Sequence, residues 1–135
     1  PEIHNAGRRL RIESVGRNMA RVRLPFDPRN LRPGGTVSGP AMFTPADFTI
    51  YVALIATLGE AAIPAVTSNL SINFLLRPEP ADVIAEARLI RIGRRLAYAE
   101  VGLHSEGRDE LIAHATSSYA LPSPPKSCGF ILPQQ

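Results

Sequence analysis

Between residues 9 and 24 apolar and polar positions alternate: Leu10, Ile12, Ala20, Val22 and Leu24 share one parity around the turn candidate Gly16-Arg17-Asn18. That period of two predicts a hairpin. Prolines and glycines punctuate residues 25–40, which read as a long ordered loop. From Pro40 to Leu58 the chain is apolar on nearly every side, which predicts a helix enclosed by other elements, and Gly59 stands where a helix end favours glycine. The alternation then returns. Val66, Ser68, Leu70, Ile72, Phe74 and Leu76 take one parity and Thr67, Asn69, Ser71 and Asn73 the other, so one face is expected to pack, with Ser68 its odd member. Three further strands put Val83, Ala85, Ala87 and Leu89, then Ala97, Ala99, Val101 and Leu103, then Leu111, Ala113, Ala115 and Tyr119 on the packed face. Turns are marked at Gly93-Arg94-Arg95 and from Glu106 to Asp109.

One enclosed helix followed by an antiparallel meander is an α+β arrangement. A helix apolar all round needs more cover than one sheet face supplies, so the sheet is expected to wrap around it and a second subunit to complete the enclosure. At 135 residues the chain reads as a single domain, with a core at about residues 8–122 and a proline-rich tail at 123–135.

Composition narrows the classes. Apolar residues make up 44% and charged residues 20%, which excludes disorder as the default. The formal charge of +3 comes from arginines spread along the chain, and aromatics are only 6%, so neither a basic recognition element nor a stacking platform for bases stands out. No nucleic-acid partner is expected, and a rival basic module would bind any polyanion in a salt-sensitive way. Cys128 is the single cysteine, which rules out an intrachain disulfide and fits a reducing compartment. No charged-then-apolar leader opens the chain and Phe48 to Leu58 is too short to span a bilayer, so a cytoplasmic protein with no membrane partner is expected. His4, His104 and His114 lack metal-ligand spacing, and no metal is expected.

Between Arg32 and Glu60 the only charged side chain is Asp47, inside the apolar helical run. A carboxylate there loses hydration, so it is kept where it caps, pairs or does chemistry. One reading is local: Thr44-Pro45-Ala46-Asp47 fits a capping box, with Thr44 as N-cap and Asp47 reaching back to its N–H. The other is catalytic.

The glycine-rich loop, enclosed helix and wrapped sheet resemble the hotdog fold, and more closely the phenylacetyl-CoA thioesterase-like branch of the 4-hydroxybenzoyl-CoA thioesterase superfamily. There a His-Gly-Gly motif opens the central helix and an acidic residue follows nine positions after the His. Ser38-Gly39-Pro40 occupies the motif here, and Asp47 lies nine after Ser38. Ser38 replaces the His, Pro40 the second glycine, and Arg32 an asparagine that some relatives carry six residues earlier. The resemblance implies acyl-CoA thioester hydrolysis. Asp47 would activate water or attack directly, the Gly39 N–H would polarise the thioester carbonyl, and Ser68 would position water or carbonyl from the facing subunit. Ser38, Pro40, Arg32, Thr67, Asn69, Arg77, Arg94 and Arg95 are the substrate-binding candidates, the last three suited to phosphates of coenzyme A. No cofactor is implied beyond coenzyme A as part of the substrate, and a homodimer or dimer of dimers is expected. The rival within the resemblance is a noncatalytic acyl-CoA-binding protein, a ligand sensor or partner module. A dehydratase would need a His at the motif, where Ser38 stands.

Overall fold

The computed structural model describes residues 10–26, 31–32, 36–37 and 42–122. Strands β1 (Arg11–Gly16) and β2 (Met19–Leu24) form the expected hairpin, and two short strands, β3 (Leu31–Arg32) and β4 (Thr36–Val37), pair with each other. The helix α1 (Phe43–Leu58) and a 3-10 turn (Gly59–Ala62) lead into β5 (Val66–Phe74), β6 (Val83–Ile92), β7 (Leu96–Ser105) and β8 (Leu111–Ala120). Six strands make one antiparallel sheet in the order β1-β2-β6-β7-β8-β5, with α1 packed chiefly across β2 and β6. A sheet curved around one long helix is the hotdog arrangement.

Small residues let helix and sheet come close. Ala85, Ala87, Ala97, Ala99, Ala113 and Ala115 lie under α1 residues Ala46, Ile50, Ala53 and Leu54, all buried. Truncating Leu54 or Ile50 to alanine in such a core costs about 2–5 kcal/mol. Two residues with positive φ set the ends: Asn18 (φ 66°) makes the β1–β2 turn and gives its N–H to Thr57 on α1 at 2.8 Å, and Gly59 (φ 73°) closes the helix.

Three expectations are corrected. The expected helix start, Pro40, lies outside the described residues; as described the helix is Phe43–Leu58, with Met42 at the N-cap position making no side-chain cap bond. Thr44 is therefore inside the first turn and is not the N-cap. Leu111 is 40% exposed while Ile112 is buried, because the β7–β8 register slips between Leu103 and His104. Leu111 crosses instead to the other face, where Cβ on Gly102 would lie 2.8 Å from its Cδ2 atom. In β5 the register slips between Thr67 and Asn69, so Ser68 occupies a bulge and leaves the packed face. The open edge at β5 also leaves Val66, Phe74, Leu75 and Leu76 exposed.

The outer face carries ion pairs. Glu13 bridges Arg21 (3.0 Å) and Arg23, Arg23 reaches Asp82 at 2.8 Å, and Arg88 and His114 meet Glu100. The two arginines hold the Glu13 carboxyl below its ordinary range, Arg23 contributing more. Arg88 first and His114 second do the same for Glu100.

Candidate active site

Asp47 lies in the second turn of α1, on the side that faces the β8–β5 end of the sheet. Its Oδ1 atom accepts hydrogen bonds from the Thr67 hydroxyl at 2.8 Å and from the Tyr119 phenol. The same phenol lies 2.9 Å from the Asp47 carbonyl oxygen, so its one hydrogen is shared between two acceptors of that residue. The capping-box reading is thereby overturned: the carboxylate turns to the sheet, away from the helix N-terminus.

The strands explain the convergence. Thr67 pairs with Tyr119, and Tyr119 with Ala97, so all three lie in one row across the sheet. The bulge at Ser68 restores the alternation one residue late, which turns Thr67 toward the helix. Four residues along α1 from Asp47, Tyr51 stacks on Tyr119 with ring centroids 6.4 Å apart and planes 17° from parallel. Its hydroxyl donates to the Ile63 carbonyl at 2.6 Å. Burial first, and then the hydrogen bond to Asp47, raise the Tyr119 phenol above its ordinary range, so it stays a neutral donor.

A cavity of about 510 Å³ opens on the carboxylate, with walls that include Phe43, Phe48, Tyr51, Thr67, Leu70 and Tyr119. That is the size of a small-molecule site, apolar apart from a few converging polar groups. Phe74 meets Phe43 edge-on, 6.2 Å between centroids.

Of the sequence-read site residues, Asp47 and Thr67 come together. Ser68 does not join them within the chain: it is exposed, and its hydroxyl donates to the Ser118 carbonyl at 3.1 Å. Asn69 is exposed beyond the bulge, its carbonyl accepting the Ser117 hydroxyl at 2.7 Å. Arg94 and Arg95 sit in the β6–β7 turn at the same end of the sheet as Thr67, the Arg95 carbonyl taking the Leu121 N–H at 2.9 Å. Arg77 follows the other end of β5, about 20 Å of strand away from Thr67. Ser38, Gly39 and Pro40 lie outside the described residues, as does the Arg32 side chain. The sequence pattern marks Tyr119 only as core. The signal for more was present, since a buried tyrosine hydroxyl needs a partner and Asp47 is the one acid in the facing helix.

Among the described residues no group of three or more His, Cys, Asp or Glu side chains forms a metal cluster, and no helix is long and apolar enough to cross a membrane.

Residues 34–112 match the model of the thioesterase superfamily. The crystal structure of a candidate thioesterase from Silicibacter sp. TM1040 shares 39% identity with this chain, covering 90% of it and 83% of its own length, at a TM-score of 0.80. A candidate esterase of Pseudomonas aeruginosa is 32% identical over 102 residues, 75% of this chain and 74% of that protein. The phenylacetic acid degradation protein PaaI of Thermus thermophilus, at 24% identity and a TM-score of 0.72 over 84% of this chain and 93% of its own, shares the fold. The chain belongs to the thioesterase superfamily and has its hotdog fold.

Proposed function

We propose that the protein hydrolyses acyl-CoA thioesters to the free acid and coenzyme A, with Asp47 as general base or nucleophile. The observation that carries this reading is the asymmetric hold on the carboxylate. Two neutral hydroxyls fix Oδ1, while Oδ2 has no hydrogen-bond partner among the described residues, and Asp47 lines the cavity. As base, Oδ2 takes a proton from water while the water oxygen adds to the thioester carbon. As nucleophile, it adds to that carbon itself and water then cleaves the anhydride. In either case the coenzyme A thiolate leaves and is protonated.

The Gly39 N–H, outside the described residues, is the proposed oxyanion donor. Ser38, Pro40 and Arg32 would shape that loop side, Thr67 positions the carboxylate, and Arg94 and Arg95 suit the phosphates of the nucleotide. Ser68 and Asn69 at the open edge, and Arg77 beyond it, would serve the site of a second copy. The exposed β5 edge supports a homodimer or dimer of dimers, since a nine-residue strand paired on one side only among the described residues, with Val66 and Phe74 exposed, invites pairing. We place the protein in the cytoplasm, with a single hotdog domain over about residues 8–122 and no metal or cofactor.

The second reading, a noncatalytic acyl-CoA-binding protein, is favoured by one fact: an Oδ1 atom satisfied by two protein hydroxyls also describes a structural carboxylate. Thiol release from short, medium, long and aromatic acyl-CoAs separates the two. Turnover of at least one is expected, and binding without turnover across the panel would transfer the site to the second reading.

A further inference from the structure

A second concavity, about 390 Å³, lies on the outward side of α1 beneath β1. Its walls are Ile12 and Val15 of β1 and Val52, Ile55 and Ala56 of α1, together with Phe48 and Tyr51. The last two also wall the Asp47 cavity, so the two spaces share a partition. Among the described residues Tyr51 is its only polar side chain, and that hydroxyl is committed to the Ile63 carbonyl, which leaves an aromatic face toward the groove.

The groove depends on a local irregularity of β1. Ile12 and Val15 are an odd number of positions apart, and regular alternation would put them on opposite faces. The β1–β2 register slips between Ile12 and Ser14, so Ile12 pairs with Val22 and Val15 with Ala20, both partners buried on the helix-facing side. Glu13, the extra residue, is tied on the outer face by Arg21 and Arg23. Both apolar side chains therefore turn toward α1, yet they stay 53% and 51% exposed because nothing described fills the space between.

We propose that the acyl chain of the substrate runs from the Asp47 cavity past Phe48 and Tyr51 into this groove, which makes uncharged acyl chains of medium length the preferred class. The proposal rests on the thioesterase reading of Asp47. The lining selects the occupant. The walls offer apolar side chains and the aromatic face of Tyr51, and a hydrocarbon chain needs no polar partner there. Ile55 is eight residues from Asp47 along the helix, about 12 Å. An extended chain of single bonds advancing about 1.2 Å per bond covers that distance in about ten bonds.

The test is the affinity of the intact chain for non-cleavable straight-chain acyl-CoA thioethers of increasing length, measured by calorimetry. Affinity should rise about fourfold per methylene and level off at about ten carbons. Ala56→Trp, which fills the groove from an exposed helix position, and Val15→Asp, which charges its other wall, should each flatten that rise while melting as the parent does. Two substitutions on different elements keep the test open if one fails to fold. Affinity independent of length in the parent overturns the proposal. So does a rise that both folded variants retain, and if their sedimentation changes as well, the groove is a contact between copies. Because thioethers are not cleaved, a chain that shows the rise but cleaves no acyl-CoA keeps the groove and loses the catalytic reading. One that cleaves acyl-CoAs without the rise keeps Asp47 and loses the groove.

Discussion

Tyr119 and Asp47, 72 positions apart in sequence, form a hydrogen-bonded pair in which the strand β8 phenol holds one oxygen of the helix carboxylate. Tyr119→Phe keeps the ring and its stack on Tyr51 and deletes only the hydroxyl. A hydrogen bond to a charged group is worth about 1.5–3 kcal/mol, and a loss of stability in that range is expected in denaturant unfolding. If the pair also orients Oδ2, kcat falls about tenfold with little change in KM.

Thr67 is the other support of Oδ1, and Ser68 is not. Thr67→Val should lower kcat about tenfold and Thr67→Ser should restore most of it. Ser68→Ala in the isolated chain should leave the Asp47–Thr67 contact intact. Activity kept by Thr67→Val and lost by Thr67→Ser would show that the methyl group, not the hydroxyl, matters.

The raised Tyr119 phenol gives a signature at high pH. Its folded value exceeds the unfolded value of about 10, so the neutral phenol stabilises the fold fully below that pH. That contribution disappears as pH rises through the folded value. Ultraviolet titration of phenolate should find one of the three tyrosines ionising last, and Tyr119→Phe should remove that step.

Glu13 gives the opposite sign at low pH. Arg23 and Arg21 hold its folded value below the unfolded value of about 4.3, so its contribution is present above that pH and is lost as pH falls through the folded value. The difference in melting temperature between the parent and Glu13→Gln should be largest near neutrality and shrink under acid. The solvent-facing position of these pairs keeps the effect small and sensitive to salt.

Much of the fold was readable because burial imposes periodicity. The alanine-rich parities of β6 and β7, the hairpin at Asn18 and the end of the helix at Gly59 all follow from residue type alone. The misreadings cluster at bulges. An inserted residue at Ser68 and another at Ile112 each reverse which side chains face the helix, and nothing in the composition of those strands marks the slip. Spacing to a loop motif singled out Asp47 but gave no view of the sheet in front of it. Thr67 was therefore grouped with the polar parity and Tyr119 with the core, although together they hold the carboxylate.

The most direct test of the central claim compares thiol release by the parent and by Asp47→Asn on the best acyl-CoA, with folding and acyl-CoA affinity checked for both. The substitution preserves shape and removes the charge that would accept a proton or attack carbon. A loss of kcat of at least about a hundredfold, the range for a general base, with affinity retained is the expected result. A folded Asp47→Asn that turns over like the parent, or that loses only stability, would contradict it.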